Sequence, residues 1–255
     1  MCINAQSIKE QLNTTVLGKN IFLLESVDST NSYLKNLIEA PAGTLVAASE
    51  QTGGRGRRGR SFWSPKGGIY MSLLYKPEGD FNAGKITSCA ALAVCEAIEK
   101  TTGLIPKIKW VNDVYLSGKK VCGILSEAIT NPVTSQIEGV VIGIGVNVEE
   151  TAVPSELKNI LTSLFAECDK AVSKHQLIAE ICNRLEPLLE AKNPAKTVDE
   201  IRRRSLVLGK TVTVISSLET YEAKALDIGA DFSLIVEKEG ERINLSSGEI
   251  TIRNF

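Results

Sequence analysis

Residues 53–60, Gly-Gly-Arg-Gly-Arg-Arg-Gly-Arg, place four of the chain's ten arginines in eight positions, alternating with four glycines. No acidic residue interrupts them, so four positive charges stand uncompensated. A guanidinium group presents a planar fork of donors that matches phosphate and carboxylate oxygens. Glycine lets backbone N–H groups approach a ligand closely. A segment of this composition is suited to close over an anion. Read alone, it also fits a solvated surface loop, or a Gly/Arg segment that holds nucleic acid by charge and stacking. Its flanks favour a bound molecule: Glu50-Gln51-Thr52 lead in from a strand pattern, and Phe62-Trp63-Ser64-Pro65 and Lys66-Gly67-Gly68 lead out.

Three further constellations could take part in chemistry. Lys109-Trp110-Val111-Asn112-Asp113 gathers a cation, an indole, an amide and a carboxylate at a strand junction. Alternation along a strand would turn Lys109, Val111 and Asp113 to one side. That is either a site or a scaffold ion pair of small value. In Lys119-Lys120-Val121-Cys122-Gly123-Ile124-Leu125-Ser126-Glu127, Lys120 opens an otherwise apolar strand, as a functional cation or as an edge charge that discourages aggregation. In Gly143-Ile144-Gly145-Val146-Asn147, glycines inside a strand permit close backbone approach or mark a bulge. The third glycine of a dinucleotide fingerprint is missing, as is a phosphate-binding G-x-x-x-x-G-K-[ST] loop. A nucleotide would be held by other means.

The elements that must position these residues follow from periodicity. Residues 20–25 read as a strand, and Asp28-Ser29-Thr30-Asn31 supplies helix-capping side chains before a helix carrying Tyr33, Leu34, Leu37 and Ile38 on one face. Strands are predicted over 44–49, 69–75, 106–110, 112–116, 120–129 and 137–148, with a hairpin at Ser117-Gly118-Lys119. A buried helix is predicted over 83–100, and helices over 154–166, 175–191 and 195–205. From 211 the period changes to two, with short runs at 211–215, 220–228, 232–237, 241–245 and 249–253 that suggest a small barrel. The domain boundary is placed near 207. Tight connections favour an α+β fold, a mixed, largely antiparallel central sheet covered by helices, over a doubly wound one.

Composition narrows the possibilities. The net charge is -1 over 255 residues and 43% are hydrophobic, so the basic cluster is local and does not belong to a broad nucleic-acid-coating surface. Six cysteines, Cys2, Cys89, Cys95, Cys122, Cys168 and Cys182, form no C-x-x-C pair and read as reduced, mostly buried thiols. The single histidine, His175, opens a helical pattern and is expected to face solvent or cap the helix, which leaves little room for a Ser-His-Asp triad or a histidine-rich metal site. No signal pattern and no apolar run of about 20 residues is seen, so a soluble, cytoplasmic protein is expected.

Taken in order, Asp28–Asn31, Glu50–Arg60, Lys109–Asp113, Lys119–Glu127 and Gly143–Asn147 resemble the biotin protein ligases. Each block is weak alone, and the five in sequence are specific over roughly residues 20–150. The resemblance implies a class II synthetase-like catalytic domain (1–206) followed by a small SH3-like β domain (207–255). It implies that biotin and ATP, with Mg²⁺, give biotinyl-5′-AMP and pyrophosphate, and that the acyl group passes to one lysine of a biotin carboxyl carrier domain. By the same resemblance, biotin meets Ser29, Thr30, Asn31, Gln51, Gly54, Arg55, Gly56, Arg57, Lys120 and Gly123. ATP and the adenylate meet Arg57, Arg58, Gly59, Arg60, Phe62, Trp63, Lys109, Asn112, Gly143, Gly145 and Asn147. Arg57, Lys109, Lys120 and Asp113 are the implied catalytic residues, and no metal ligand is assigned. The family usually carries proline where Val111 stands, a departure expected to alter local stiffness and not activity.

The residue types suit that chemistry. A carboxylate must attack an already negative phosphate, so cations and positioning carry the reaction. About 20 residues precede the first core strand, fewer than a helix-turn-helix needs, and ligation without operator binding is expected. The protein is expected to be a monomer or a homodimer paired through an exposed strand. Two other readings compete: a lipoate or octanoate transfer enzyme, which typically uses a His-Asp motif not seen near this loop, and an RNA-binding module built on the Gly/Arg loop.

Overall fold

The computed structural model describes all residues except 1–2, 38, 78–80, 217–218, 247–248 and 253–255. Cys2 and Ile38 therefore lie outside the described residues. Along the chain run α1 (Ala5–Lys9), β1 (Ile21–Val27), α2 (Thr30–Asn36), β2 (Leu45–Gln51), β3 (Ile69–Tyr75) and α3 (Ala83–Thr102). Four strands follow: β4 (Lys107–Lys109), β5 (Asp113–Leu116), β6 (Lys119–Thr130) and β7 (Ile137–Val146). Next come α4 (Leu164–Cys168), α5 (Lys174–Glu190) and α6 (Ala195–Arg204). The chain continues through β8 (Thr211–Ile215), β9 (Thr220–Ile228), β10 (Leu234–Lys238), β11 (Glu241–Leu245) and β12 (Glu249–Ile252).

Strands β1 to β7 form one seven-stranded sheet in the order β1-β2-β3-β7-β6-β5-β4, and β8 to β12 form a five-stranded sheet in the order β11-β10-β9-β8-β12. Among the described strands, only β1 and β2 pair with each other in parallel. This agrees with a mixed α+β fold whose central sheet is largely antiparallel.

Local chemistry explains the helices around the sheet. Ser29 caps α2 by accepting from Ser32 N, and Asn82 caps α3 by accepting from Lys85 N at 2.8 Å. Gly103, at φ 80, ends α3 in a left-handed cap. The small residues along α3 let it lie close to one face of the sheet, where Ile86, Leu92, Val94 and Ile98 are buried with α5 and α6 side chains. Each such aliphatic side chain contributes about 1.5–3 kcal/mol. Leu34 of α2 packs on the opposite face, against Val46, Leu74 and Val141.

Three sequence expectations change. The helix predicted over 154–166 is only a short 3-10 turn, Ser155–Leu157, followed later by α4. Between them the chain extends beside β6, where Lys120 N donates to Ile160 O and Thr162 N donates to Lys120 O. Tertiary pairing here overrides helical periodicity. His175 is buried at 9% exposure, and Ser173 supplies the α5 cap. Val111 does not share a side with Lys109 and Asp113: residues 110–112 form a turn with a cis Trp110–Val111 peptide, and Val111 packs into the helix-covered core. Lys109 and Asp113 do share a face, because they are cross-strand partners.

Candidate active site

Strand register builds the site. Gly123 of β6 pairs with Gly145 of β7, which pairs with Tyr70 of β3; one step along, Leu125, Gly143 and Ser72 form the next row. Directly opposed residues share a face of the sheet. The three glycines therefore leave a side-chain-free hollow on the face away from α3. A Cβ on Gly145 would sit 2.4 Å from the Phe62 ring, one on Gly123 2.7 Å from the same ring, and one on Gly143 2.3 Å from Asn31 Oδ1. Phe62 and Asn31 thus fill the space those glycines vacate.

The first row continues outward. Asp113 pairs with Gly123 and Lys109 with Asp113, so the Lys109 and Asp113 side chains share the glycine face. Lys120 joins them through a register shift: Tyr115 faces Lys120 while Val114 faces Cys122, leaving Val121 as an extra residue. Strict alternation from Gly123 would send Lys120 to the other face. The bulge re-aims it, and Val121 is fully buried in the helix-covered core. Lys120 Nζ lies 2.7 Å from Asp113 Oδ1 and 5.5 Å from the Phe62 ring centroid.

The Gly/Arg segment folds as a small hairpin over this face. Arg55 bridges Ser61, Phe62 N donates to Gly54 O at 2.9 Å, and Gly56 N donates to Arg60 O at 2.7 Å. Arg58 and Gly59 make the turn with φ of 54 and 75. Arg57 Nη1 donates to Asn112 Oδ1 at 3.3 Å, and Asn112 Nδ2 donates to Ile124 O at 3.2 Å. The hairpin is thereby tied to the 110–112 turn.

At the other end lies a neutral polar cluster. Gln51 Oε1 accepts from Thr30 N at 2.9 Å, and Gln51 Nε2 donates to Ser64 Oγ at 3.0 Å. Ser72 Oγ lies 2.8 Å from Thr30 Oγ1 and 2.6 Å from Asn31 Oδ1. A buried cluster satisfied in this way fixes its side chains.

These parts enclose a cavity of about 330 Å³, lined by six cationic side chains, Arg55, Arg57, Arg58, Arg60, Lys109 and Lys120, and by one carboxylate, Asp113. Ser29, Thr30, Asn31, Gln51, Gly56, Phe62, Asn112, Gly123, Gly143 and Gly145 also line it. Four candidates lie outside the lining. Gly54 is paired with Phe62 in the hairpin, and Gly59 is at the turn. Trp63 is 39% exposed. The Asn147 amide donates to Thr162 O at 3.0 Å.

Sequence reasoning missed other lining residues, among them Tyr70, Tyr115, Ile160 and Ile250. Alternation with Ser72 and Leu74 could have flagged Tyr70. Ile250, from the second sheet, carried no local signal. Burial, reinforced by the Asp113 charge, pushes the Tyr115 hydroxyl up to about 12. Among the described residues no cluster of three or more His, Cys, Asp or Glu side chains could hold a metal ion, and no helix is long and apolar enough to cross a membrane.

Comparison with known proteins gives a consistent picture. Residues 23–147 match the Biotin/lipoate A/B protein ligase family. The chain is 31% identical over 261 residues to the bifunctional ligase/repressor BirA of Bacillus spizizenii, covering 98% of this chain and 79% of that protein. It is 28% identical over 262 residues to the biotin–[acetyl-CoA-carboxylase] ligase of Mycobacterium tuberculosis, covering 97% and 95%. The biotin protein ligase from Aquifex aeolicus, solved in complex with biotin and ATP, superposes with a TM-score of 0.83 at 30% identity, covering 93% of this chain and all of that one.

Proposed function

The chain belongs to the biotin/lipoate A/B protein ligase family, and we propose from its site that it is a biotin protein ligase, joining biotin to a carrier lysine at the expense of ATP. In the first step a biotin carboxylate oxygen attacks the α-phosphorus of ATP. The bond to the β-phosphate breaks, pyrophosphate leaves, and biotinyl-5′-AMP remains. In the second, the ε-amine of a lysine on a biotin carboxyl carrier domain attacks the acyl carbon. AMP leaves with the bonding electrons, and the amine gives up its proton.

One observation carries this reading: a single cavity joins a neutral hydrogen-bonding end, Thr30 and Gln51 with the buried Ser72 behind them, to a cationic end, Arg57–Asn112 and Lys120–Asp113. The neutral end suits a ureido ring, which needs donors and acceptors but no charge, with Ser29 and Asn31 beside it. The cationic end suits two mutually repelling anions brought into contact. Lys109, Lys120 and Arg57 offset the negative charge that gathers as they join, and such preorganised charge is worth several kcal/mol in a water-poor site. Arg55, Arg58, Arg60 and the backbone of Gly54, Gly56 and Gly59 close over the adenylate. Phe62 covers an apolar face of the ligand. Asn112 and Gly145 border the nucleotide end, whereas Gly143, which the family resemblance assigns there, lies against Asn31 at the neutral end; Trp63 and Asn147 support the nucleotide end from outside the lining.

Asp113 orients Lys120 and is the one carboxylate lining the cavity among the described residues. A Mg²⁺ ion, which keeps several waters and leans on substrate phosphates, would enter with ATP beside Asp113 and would supply further neutralisation of phosphate charge. The five-stranded sheet is read as an SH3-like β module beginning near 207. Ligation is read here as proceeding without sequence-specific DNA binding. A specific mobility shift of duplex DNA would overturn that part.

The test is biotin-dependent exchange of pyrophosphate into ATP, followed by transfer to a purified biotin carboxyl carrier domain, with lipoate and octanoate as competing acids. Exchange with biotin alone is the expected result. Exchange with lipoate or octanoate and none with biotin would reassign the enzyme, and salt-sensitive RNA binding without exchange would remove it from catalysis.

A further inference from the structure

Lys120 reaches the cavity only through a bulge, and the backbone at that point has little regular support. The β6–β7 ladder ends at Cys122 and Val146, so Lys120 lies beyond the last strand pair on that side. The extended segment 160–162 takes the place of β7 there. Lys120 N donates to Ile160 O at 2.8 Å, and Thr162 N donates to Lys120 O at 2.9 Å. At its other end β6 is joined to β5 by a two-residue turn, Ser117 and Gly118, with φ of 47 and 78. The Lys120 backbone is therefore set by a turn just before it and by a segment beside it that is distant in sequence.

Glu167 of α4 joins those two neighbours. Ser117 Oγ donates to its Oε2 at 2.5 Å, and Thr162 Oγ1 donates to its Oε1 at 2.6 Å. A carboxylate only accepts, so both hydroxyl protons are committed to it. Such charge-assisted bonds are shorter and stronger than neutral ones. The helix gives the carboxylate a firm base. Ser163 caps α4 by accepting from Ala166 N, Leu164 is fully buried, and Leu164 N donates to Asn147 O at 3.0 Å. None of Glu167, Ser117 and Thr162 lines the cavity.

The Lys120 side chain is sensitive to this kind of support. Its ammonium sits at the end of a long, flexible stem. A small rotation of the backbone becomes a large displacement of the charge. The register shift also decides which face of the sheet Lys120 occupies. The extended segment has a second tie, because Asn147 Nδ2 donates to Thr162 O at 3.0 Å. Loss of Glu167 therefore loosens the segment without releasing it.

We propose that Glu167 is a positioning residue for the adenylation step: by bonding at once to the turn before Lys120 and to the segment beside it, it braces the bulge that aims the Lys120 ammonium into the cavity. The part concerning adenylation rests on the ligase reading; the brace itself does not. Glu167 touches neither reactant and acts through the backbone of Lys120.

Amide hydrogen exchange of the ligand-free protein, followed by NMR, tests the brace. Glu167→Ala should speed exchange at the Lys120 and Thr162 amides about tenfold and leave the α3 amides as in the wild type. Thr162→Val keeps the branched shape at a half-buried position, removes one of the two bonds, and should act in the same direction. Wild-type exchange at both amides in Thr162→Val would overturn the brace, whether or not Glu167→Ala folds.

Biotin-dependent pyrophosphate exchange tests the aim. Glu167→Ala should lower kcat about tenfold and change the KM for biotin less than about twofold. Glu167→Gln should restore most of the rate, because an amide can donate to one hydroxyl and accept from the other. A glutamine variant as slow as the alanine one would overturn the hydrogen-bonding role. The double variant Lys120→Met with Glu167→Ala should be no slower than Lys120→Met alone. A further loss as large as that of Glu167→Ala by itself would show that the effect does not pass through Lys120 and overturn the proposal. Faster amide exchange with a wild-type kcat would overturn its catalytic part. A wild-type protein without biotin-dependent exchange would overturn the ligase reading and the role in adenylation together, while the amide measurement would still decide the brace.

Discussion

At the scale of single residues, the site depends on what is missing as much as on what is present. Gly123, Gly143 and Gly145 lie in adjacent strands, and the hollow exists because none carries a side chain. Gly145→Ala puts a methyl group into the Phe62 ring. We expect a stability loss of about 1–3 kcal/mol by urea unfolding and a marked rise in the KM for biotin in the exchange assay. Lys120→Met removes a cation without opening the core. Its expected signature is a drop of about 10²–10³ in the kcat of adenylation, with the KM for biotin little changed, as for a group that acts on developing charge. Residue types announced much of this. Arginine, lysine and the strand glycines were legible because their chemistry is unusual where they stand. Ser72 and Glu167 were not, because a serine in a strand or a glutamate in a helix is ordinary until its partners are known.

At the scale of elements, the sheet and its helices could be read from periodicity, yet the aim of Lys120 could not. A one-residue bulge at Val121 reverses the face of everything before it, and no local pattern marks it. The extended segment 160–162 was mistaken for helix for a similar reason: its partner, Lys120, is some 40 positions away in sequence. Another long-range anchor fixes the chain ahead of β1. The Glu186 carboxylate of α5 accepts from Thr15 N, Val16 N and Leu17 N at 2.5, 2.9 and 2.7 Å, and from Thr15 Oγ1 at 2.9 Å. Burial opposes its ionisation, but these bonds win and hold its pKa below the ordinary glutamate value. The stabilisation is therefore complete above the unfolded-state pKa of about 4.3 and fades as pH falls through the lower folded value. Glu186→Gln should lose about 1–3 kcal/mol at pH 7. Urea midpoints measured from pH 7 to pH 3 should show the gap between wild type and variant closing in acid.

At the scale of the molecule, the two sheets are joined and not merely strung together. Trp110 Nε1 donates to Phe232 O at 3.0 Å, Arg202 of α6 pairs with Asp227 of β9, and hydrophobic side chains of both sheets belong to one continuous core. Trp63 and Trp110 are the only tryptophans, so Trp63→Phe leaves a single buried reporter at this junction. Its fluorescence and the far-UV circular dichroism should unfold in one coincident transition; two separated transitions would show the sheets to be independent. Composition and strand spacing revealed that a second β unit exists, but the way it meets the first depends on side chains from distant parts of the chain. Ile250 is the extreme case, since a residue of the second sheet forms part of the cavity wall. A nascent chain still holding that residue inside the ribosome has an unfinished wall. Any reactive acyl phosphate it made would meet water or bystander amines, so competence for ligation must wait until the second sheet has emerged and folded.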